Sequence, residues 1–181
     1  MTKLALTIGA AIVALVAVGA TLRTAALSSG ATEAQRKSGE RMNQTSPQRP
    51  DKVVKTEEEW KTILTPEQYS ILRGHGTERP FCGINLEDKG EGFYHCVGCD
   101  LPLFKAARKF NSGTGWPSYT EPATEDAVWY VTDTTYGMVR TEVRCARCDG
   151  HLGHVFDDGP PPSRQRYCIN GTILKFVPAN G

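Results

Sequence analysis

Two C-x-x-C pairs, Cys96/Cys99 and Cys145/Cys148, use four of the six cysteines in this 181-residue chain and leave Cys82 and Cys168 outside both. Four thiolates from two such knuckles close a tetrahedral shell around zinc, a metal that favours sulfur and nitrogen ligands. Residues 100–144 intervene, so the metal would clip together two distant hairpin turns of one domain. Gly98 and Gly150 are expected to meet a tight turn's need for φ > 0, or for backbone without a side chain. Two disulfides are the alternative, and they suit an exported chain. A C-x-x-C pair seldom closes on itself without strain, which favours one structural zinc ion. Four sulfurs fill the shell, whereas a catalytic zinc keeps an open position. The chemistry is therefore expected elsewhere.

Cys168 is the candidate for it. In Arg166-Tyr167-Cys168-Ile169-Asn170 a thiol lies near a guanidinium, which favours the nucleophilic thiolate, and two residues before an amide. His151-Leu152-Gly153-His154-Val155-Phe156 follows directly on the second knuckle and supplies two imidazoles, so a zinc clip would also position these histidines. Ser112-Gly113-Thr114-Gly115-Trp116-Pro117-Ser118 places an indole on a glycine-rich turn. Each signal has a bland counterpart. A lone cysteine is commonly a small buried hydrophobe, histidines share the role of zinc ligand with cysteines, and Trp116 could cap the core. The combination carries the argument.

The elements that must hold these residues read as few helices and many short strands. Thr56 and Glu59 form a capping box ahead of Trp60, Ile63 and Leu64, which share a helical face. Thr65-Pro66-Glu67 starts a second short helix carrying Tyr69, Ile71 and Leu72, which ends by Gly74. Residues 93–96, 128–131, 137–143 and 172–177 read as strands, with glycine and proline in the gaps. No stretch after Gly74 is long enough for a βαβ crossover, so the expected fold is mainly β: two antiparallel sheets with short N-terminal helices and a zinc clip.

The start of the chain is a separate object. Leu4 to Leu22 carries no charge and is about the ~20 residues a membrane span needs. Small residues at Val18-Gly19-Ala20 and Ala26-Leu27-Ser28 also fit cleavage sites. Residues 1–27 are thus expected to be a signal peptide or membrane anchor, 28–50 a polar linker that cannot build a core, and 51–181 the folded domain. That domain would be exported to a periplasmic or other extracytoplasmic face and held at the membrane if 4–22 is retained. From Asp51 on there are 15 basic and 18 acidic residues, a balance that opposes nucleic-acid binding.

Gly115-Trp116-Pro117-Ser118, the two knuckles, the His151–Phe156 motif, Arg166–Asn170 and Gly76-Thr77-Glu78-Arg79-Pro80-Phe81 occur in an order that resembles the B-type peptide-methionine (R)-S-oxide reductases over about residues 56–178. The resemblance implies two antiparallel sheets with short N-terminal helices. It implies Cys168 as the nucleophile that reduces methionine R-sulfoxide and becomes a sulfenic acid, one enzyme type serving each epimer. It also implies His151 and His154 as proton donors or water holders, Asn170 as the amide that orders them, Trp116 as the wall against the S-methyl group, and Arg166 as the cation that lowers the nucleophile's pKa. Many members carry a resolving cysteine two residues before the tryptophan, where this chain has Thr114. Others carry it where Cys82 stands, which implies a Cys82–Cys168 disulfide. The implied partners are oxidised proteins and thioredoxin or a thioredoxin-like reductant. Two rival readings leave motifs unused: a zinc-stabilised binding module has no role for Cys168, and a disulfide-rich envelope domain would hold three bridges and no free thiol.

Overall fold

In the computed structural model, residues 44–82 and 90–179 are described. The expected span at 4–22 and residues 28–43 of the expected linker lie outside them. Among the described residues no helix is long and apolar enough to cross a membrane. The last part of the expected linker packs on the domain: Gln44 N–H donates to the Tyr130 carbonyl at 3.0 Å, and Ser46 donates to Asp149 at 2.7 Å.

Two short helices open the domain, α1 (Glu57–Ile63) and α2 (Pro66–Leu72). Each begins in a capping box, Thr56 with Glu59 and Thr65 with Gln68, and Pro66 takes the first position of α2, where no N–H is needed. Trp60 and Leu64 bury their side chains, but Ile63 is half exposed, so the buried face of α1 is narrower than its apolar spacing suggested.

Among the described residues nine strands follow: β1 (Gly92–Cys96), β2 (Pro102–Lys105), β3 (Lys109–Phe110), β4 (Ser118–Tyr119), β5 (Val128–Asp133), β6 (Arg140–Cys145), β7 (His151–Phe156), β8 (Arg166–Ile169) and β9 (Leu174–Pro178). They form a three-stranded sheet in the order β2-β1-β9 and a six-stranded sheet in the order β3-β4-β8-β7-β6-β5. The paired strands of both sheets run antiparallel. Aromatic rings join the two: Phe104 of β2 stacks on Tyr119 of β4 at 4.4 Å between centroids, and Tyr94 of β1 meets Tyr119 at 5.4 Å. Two expected strands are trimmed. Residues 137–139 belong to the β5–β6 turn, with Val139 largely exposed, and 171–173 form a 3-10 turn before β9.

The knuckles are the turns β1–β2 and β6–β7. In each, the residue after the second cysteine closes the loop in the left-handed region, Asp100 at φ 60° and Asp149 at φ 58°. Neither glycine has a positive φ, so of the two expected reasons it is the need for backbone without a side chain that applies. A Cβ on Gly98 would lie 2.7 Å from Leu72 Cδ2, and one on Gly150 2.6 Å from Leu72 Cδ1. Both glycines exist to admit Leu72, the fully buried end of α2, between the knuckles. The arm before α1 adds a second tie, with Lys52 donating to the Ala146 carbonyl at 2.9 Å and to Asp149 at 2.8 Å.

Candidate active site

In β8, Tyr167 and Ile169 point into the core, leaving Arg166 and Cys168 on the opposite face. Antiparallel partners share a face, and the register draws one row across the six-stranded sheet. Phe110 of β3 pairs Ser118 of β4, Ser118 pairs Cys168, Cys168 pairs His154 of β7, His154 pairs Glu142 of β6, and Glu142 pairs Val131 of β5. The thiol thus stands between an imidazole and a hydroxyl. Gly153 allows this closeness, since a Cβ there would sit 2.1 Å from the Cys168 carbonyl oxygen.

Burial pushes the Cys168 thiol above its ordinary value, while Arg166 and a hydrogen bond from Thr114 pull it back only in part. Arg166 alone therefore does not make a thiolate. Its guanidinium is held by Asp158 through two 2.8 Å bonds and lies 4.5 Å from the Phe156 ring centroid. The Thr114 hydroxyl is part of a relay, with Ser112 2.8 Å from Thr114 and 2.7 Å from Ser118.

The two histidines are oriented by opposite nitrogens. His154 presents Nε2 to Asp133 at 2.8 Å, and His151 presents Nδ1 to Glu142 at 2.6 Å. Burial works against the charge of Glu142, but hydrogen bonds from His151 and Arg144 outweigh it and hold the carboxyl at about 2. Asp133 is likewise held below its ordinary value, burial being outweighed by Thr135, His154 and Arg140. With both acids ionised, the facing ring nitrogens must be the donors. Burial lowers His154 despite Asp133, so its ring favours the neutral form.

The Asn170 side chain makes its hydrogen bonds to backbone groups. Its Nδ2 donates to the carbonyl of Leu152, the residue after His151, at 3.0 Å, and its Oδ1 accepts from the Glu78 N–H at 3.0 Å. Glu78 binds a strap, residues 75–82, to the site. Its buried carboxylate accepts from Gly171 and Thr172, and its carbonyl accepts the Trp116 indole N–H at 3.1 Å. Cys82 ends the described part of the strap, exposed, and Cys82 and Cys168 are both free thiols. The Phe81 N–H donates to the Gly115 carbonyl at 2.8 Å, so the turn carrying Cys82 sits on the loop whose Thr114 reaches Cys168.

The four knuckle sulfurs lie within 4.8 Å of one another, with Cys96–Cys148 at 3.8 Å and Cys99–Cys145 at 3.5 Å. A tetrahedral zinc with Zn–S of about 2.3 Å has sulfur–sulfur edges of about 3.8 Å, so the cluster fits that ion.

Glu142, Asp133 and His75 are not singled out by the sequence, and Thr114 is marked there only as standing in place of a resolving cysteine. A signal for Glu142 existed: Arg140, Glu142 and Arg144 alternate, placing three charges on one face of a strand whose other face is buried.

The SelR domain family matches residues 64–178. The chain is 55% identical over 130 residues to the peptide methionine sulfoxide reductase MsrB of Pseudomonas putida (strain W619), covering 72% of this chain and 98% of that protein. It is 57% identical over 128 residues to the MsrB of Pseudomonas syringae pv. syringae (strain B728a), covering 71% and 98%. Against the MsrB of Agrobacterium fabrum it is 58% identical over 127 residues, covering 70% and 94%.

Proposed function

Because this chain belongs to the SelR-domain family of B-type peptide methionine sulfoxide reductases, we propose that it is an oxidoreductase that reduces the R epimer of methionine sulfoxide in polypeptides to methionine. The observation that carries the site assignment is the row Ser118–Cys168–His154–Glu142, which sets a half-buried thiol between a hydroxyl and an imidazole on one sheet face, with an ionised carboxylate behind the imidazole.

Cys168, ionised once substrate is bound, attacks the sulfoxide sulfur. The S–O bond breaks as the oxygen takes the proton that Cys168 gave up, relayed through the ring of His151 or His154, and the hydroxyl ends on the Cys168 sulfur as methionine leaves. The sulfoxide gains two electrons and the cysteine loses two. Trp116 walls the methyl side of the substrate, while Arg166 supports the thiolate. Asn170 holds the His151–Leu152 backbone and Glu78 in place. Cys82 then attacks the sulfenic acid, water leaves with one proton, and a Cys82–Cys168 disulfide forms. A thioredoxin-like dithiol returns both thiols. Cys96, Cys99, Cys145 and Cys148 would hold zinc, which supplies no step but fixes the turns ahead of β2 and β7.

Turnover of the purified chain on each epimer of a methionine sulfoxide peptide, with dithiothreitol, tests the reading. Reduction of R alone, abolished by Cys168→Ser, is expected, and no activity on either epimer in folded protein would sink it. In the same assay Cys82→Ser should complete one turnover yet lose cycling with thioredoxin. Unchanged cycling would exclude Cys82 as the resolving thiol.

A further inference from the structure

Two imidazoles share one carboxylate oxygen two strands from the reacting thiol, on the far side of His154. Oε1 of Glu142 accepts from His151 Nδ1–H at 2.6 Å and from His75 Nδ1–H at 2.9 Å, while Oε2 accepts from Arg144 at 2.8 Å. The side chains of Glu142 and His151 are only 6% and 4% exposed, but that of His75 is 49% exposed. The His75 and His151 rings lie 5.4 Å apart, and His151 is 5.6 Å from His154 on its other side. The charged and titratable groups facing His151 are thus Glu142 and Arg144 from β6, His75 from the strap, and His154 from β7, backed by Asp133 and Arg140. With Nδ1 committed to Glu142, His151 has one nitrogen left, Nε2, which is buried and has no hydrogen-bond partner among the described residues.

We propose that Glu142 and His75 are opposed positioning residues for the reduction: Glu142 fixes His151 with Nδ1 bound and Nε2 left to pass a proton to the sulfoxide oxygen, and His75 weakens that hold by drawing on the same Oε1. This rests on the role given to His151 above. Overall, the proton that Cys168 loses on ionising equals the one that ends on the sulfenic hydroxyl, so His151 is restored from the thiol's proton. A full negative charge on Oε1 favours the protonated ring, and a second donor on that oxygen shares the charge away. Removing Glu142's charge and removing His75's donor must therefore act with opposite signs.

The experiment is the pH profile of kcat for reduction of an R-sulfoxide peptide by the zinc-loaded chain, read alongside the nitrogen NMR signals of the His151 ring. Glu142→Gln should lower kcat about tenfold with KM nearly unchanged and move the alkaline limb to lower pH, because a step made only in the transition state is impaired. His75→Gly suits the left-handed backbone at that position, φ 56°, and should move the same limb to higher pH. His75→Asn, which tolerates that backbone and returns a donor near the place of Nδ1, should restore the parent profile. If Glu142→Gln does not fold, the exposed His75 pair still decides the matter. An unmoved limb in both His75→Gly and Glu142→Gln, or shifts of the same sign, overturns the proposal. Inactivity of the parent chain on the R epimer would instead overturn the function on which it rests.

Discussion

The reactivity of Cys168 is a contest between burial and two neighbours. Burial raises its pKa, Arg166 and Thr114 lower it, and burial prevails in the resting site. The hydroxyl of Thr114 therefore does work that the adjacent arginine cannot do alone, since Arg166 is already paired with Asp158. Thr114→Val keeps the shape and removes the donor. With less to offset burial the thiol rises further, so the thiolate should appear at higher pH. Iodoacetamide alkylation of Cys168 against pH, in a Cys82→Ser background, should show the midpoint displaced upward by roughly half a unit to one unit, a hydrogen bond to a charged group being worth about 1.5 kcal/mol. A midpoint unchanged by Thr114→Val would remove Thr114 from the site.

At the scale of elements, α2 acts as a wedge. Leu72 fills the space left by Gly98 and Gly150, and Arg73 donates to the Cys148 carbonyl at 3.0 Å while its guanidinium lies 5.1 Å from the Trp60 ring centroid. Leu72→Ala should cost about 2–5 kcal/mol, the usual range for a buried leucine. It should also release zinc faster to a chromogenic chelator, because both knuckles lose a common support. A parent-like release rate with the stability loss intact would mean that Leu72 serves the core alone. The same physics explains why β7 is well aimed: His151 begins three residues after Cys148, so any loosening of that knuckle reaches the imidazoles.

For the whole molecule, cohesion turns on the four-cysteine cluster. The four-sulfur cluster ties the three-stranded sheet, through β1, to the six-stranded sheet, through β6, and the arm at Lys52 and Val53 closes over the second knuckle. Metal analysis is expected to give about one zinc per chain, the capacity of one four-cysteine shell. Stripping it with chelator should lower the melting temperature by roughly 10 °C or more and abolish R-sulfoxide turnover, since zinc binding free energy is largely folding free energy in such sites. Full activity in zinc-free protein would show the sulfurs to be dispensable.

The chemistry of this protein was legible in residue types and local spacing. Two C-x-x-C pairs specify a four-sulfur cluster of the kind a thiophilic metal fits, two capping boxes specify where the helices begin, and the ordered motifs around Trp116, His151 and Cys168 specify the family. These signals survive without a fold because each spans only a few neighbouring residues. Tertiary structure alone decided the partners. Cys168 meets His154 and Ser118, and His154 meets Glu142, by register between strands far apart in the chain, and a slip of one residue would turn every one of these side chains to the other face. Glu142 and Asp133 became the acceptors that orient the two histidines, and Gly98 and Gly150 the seat of Leu72, only once the sheets and helix closed on them. Burial, which sets the state of Cys168 against its arginine, belongs to the assembled volume and to no stretch of sequence.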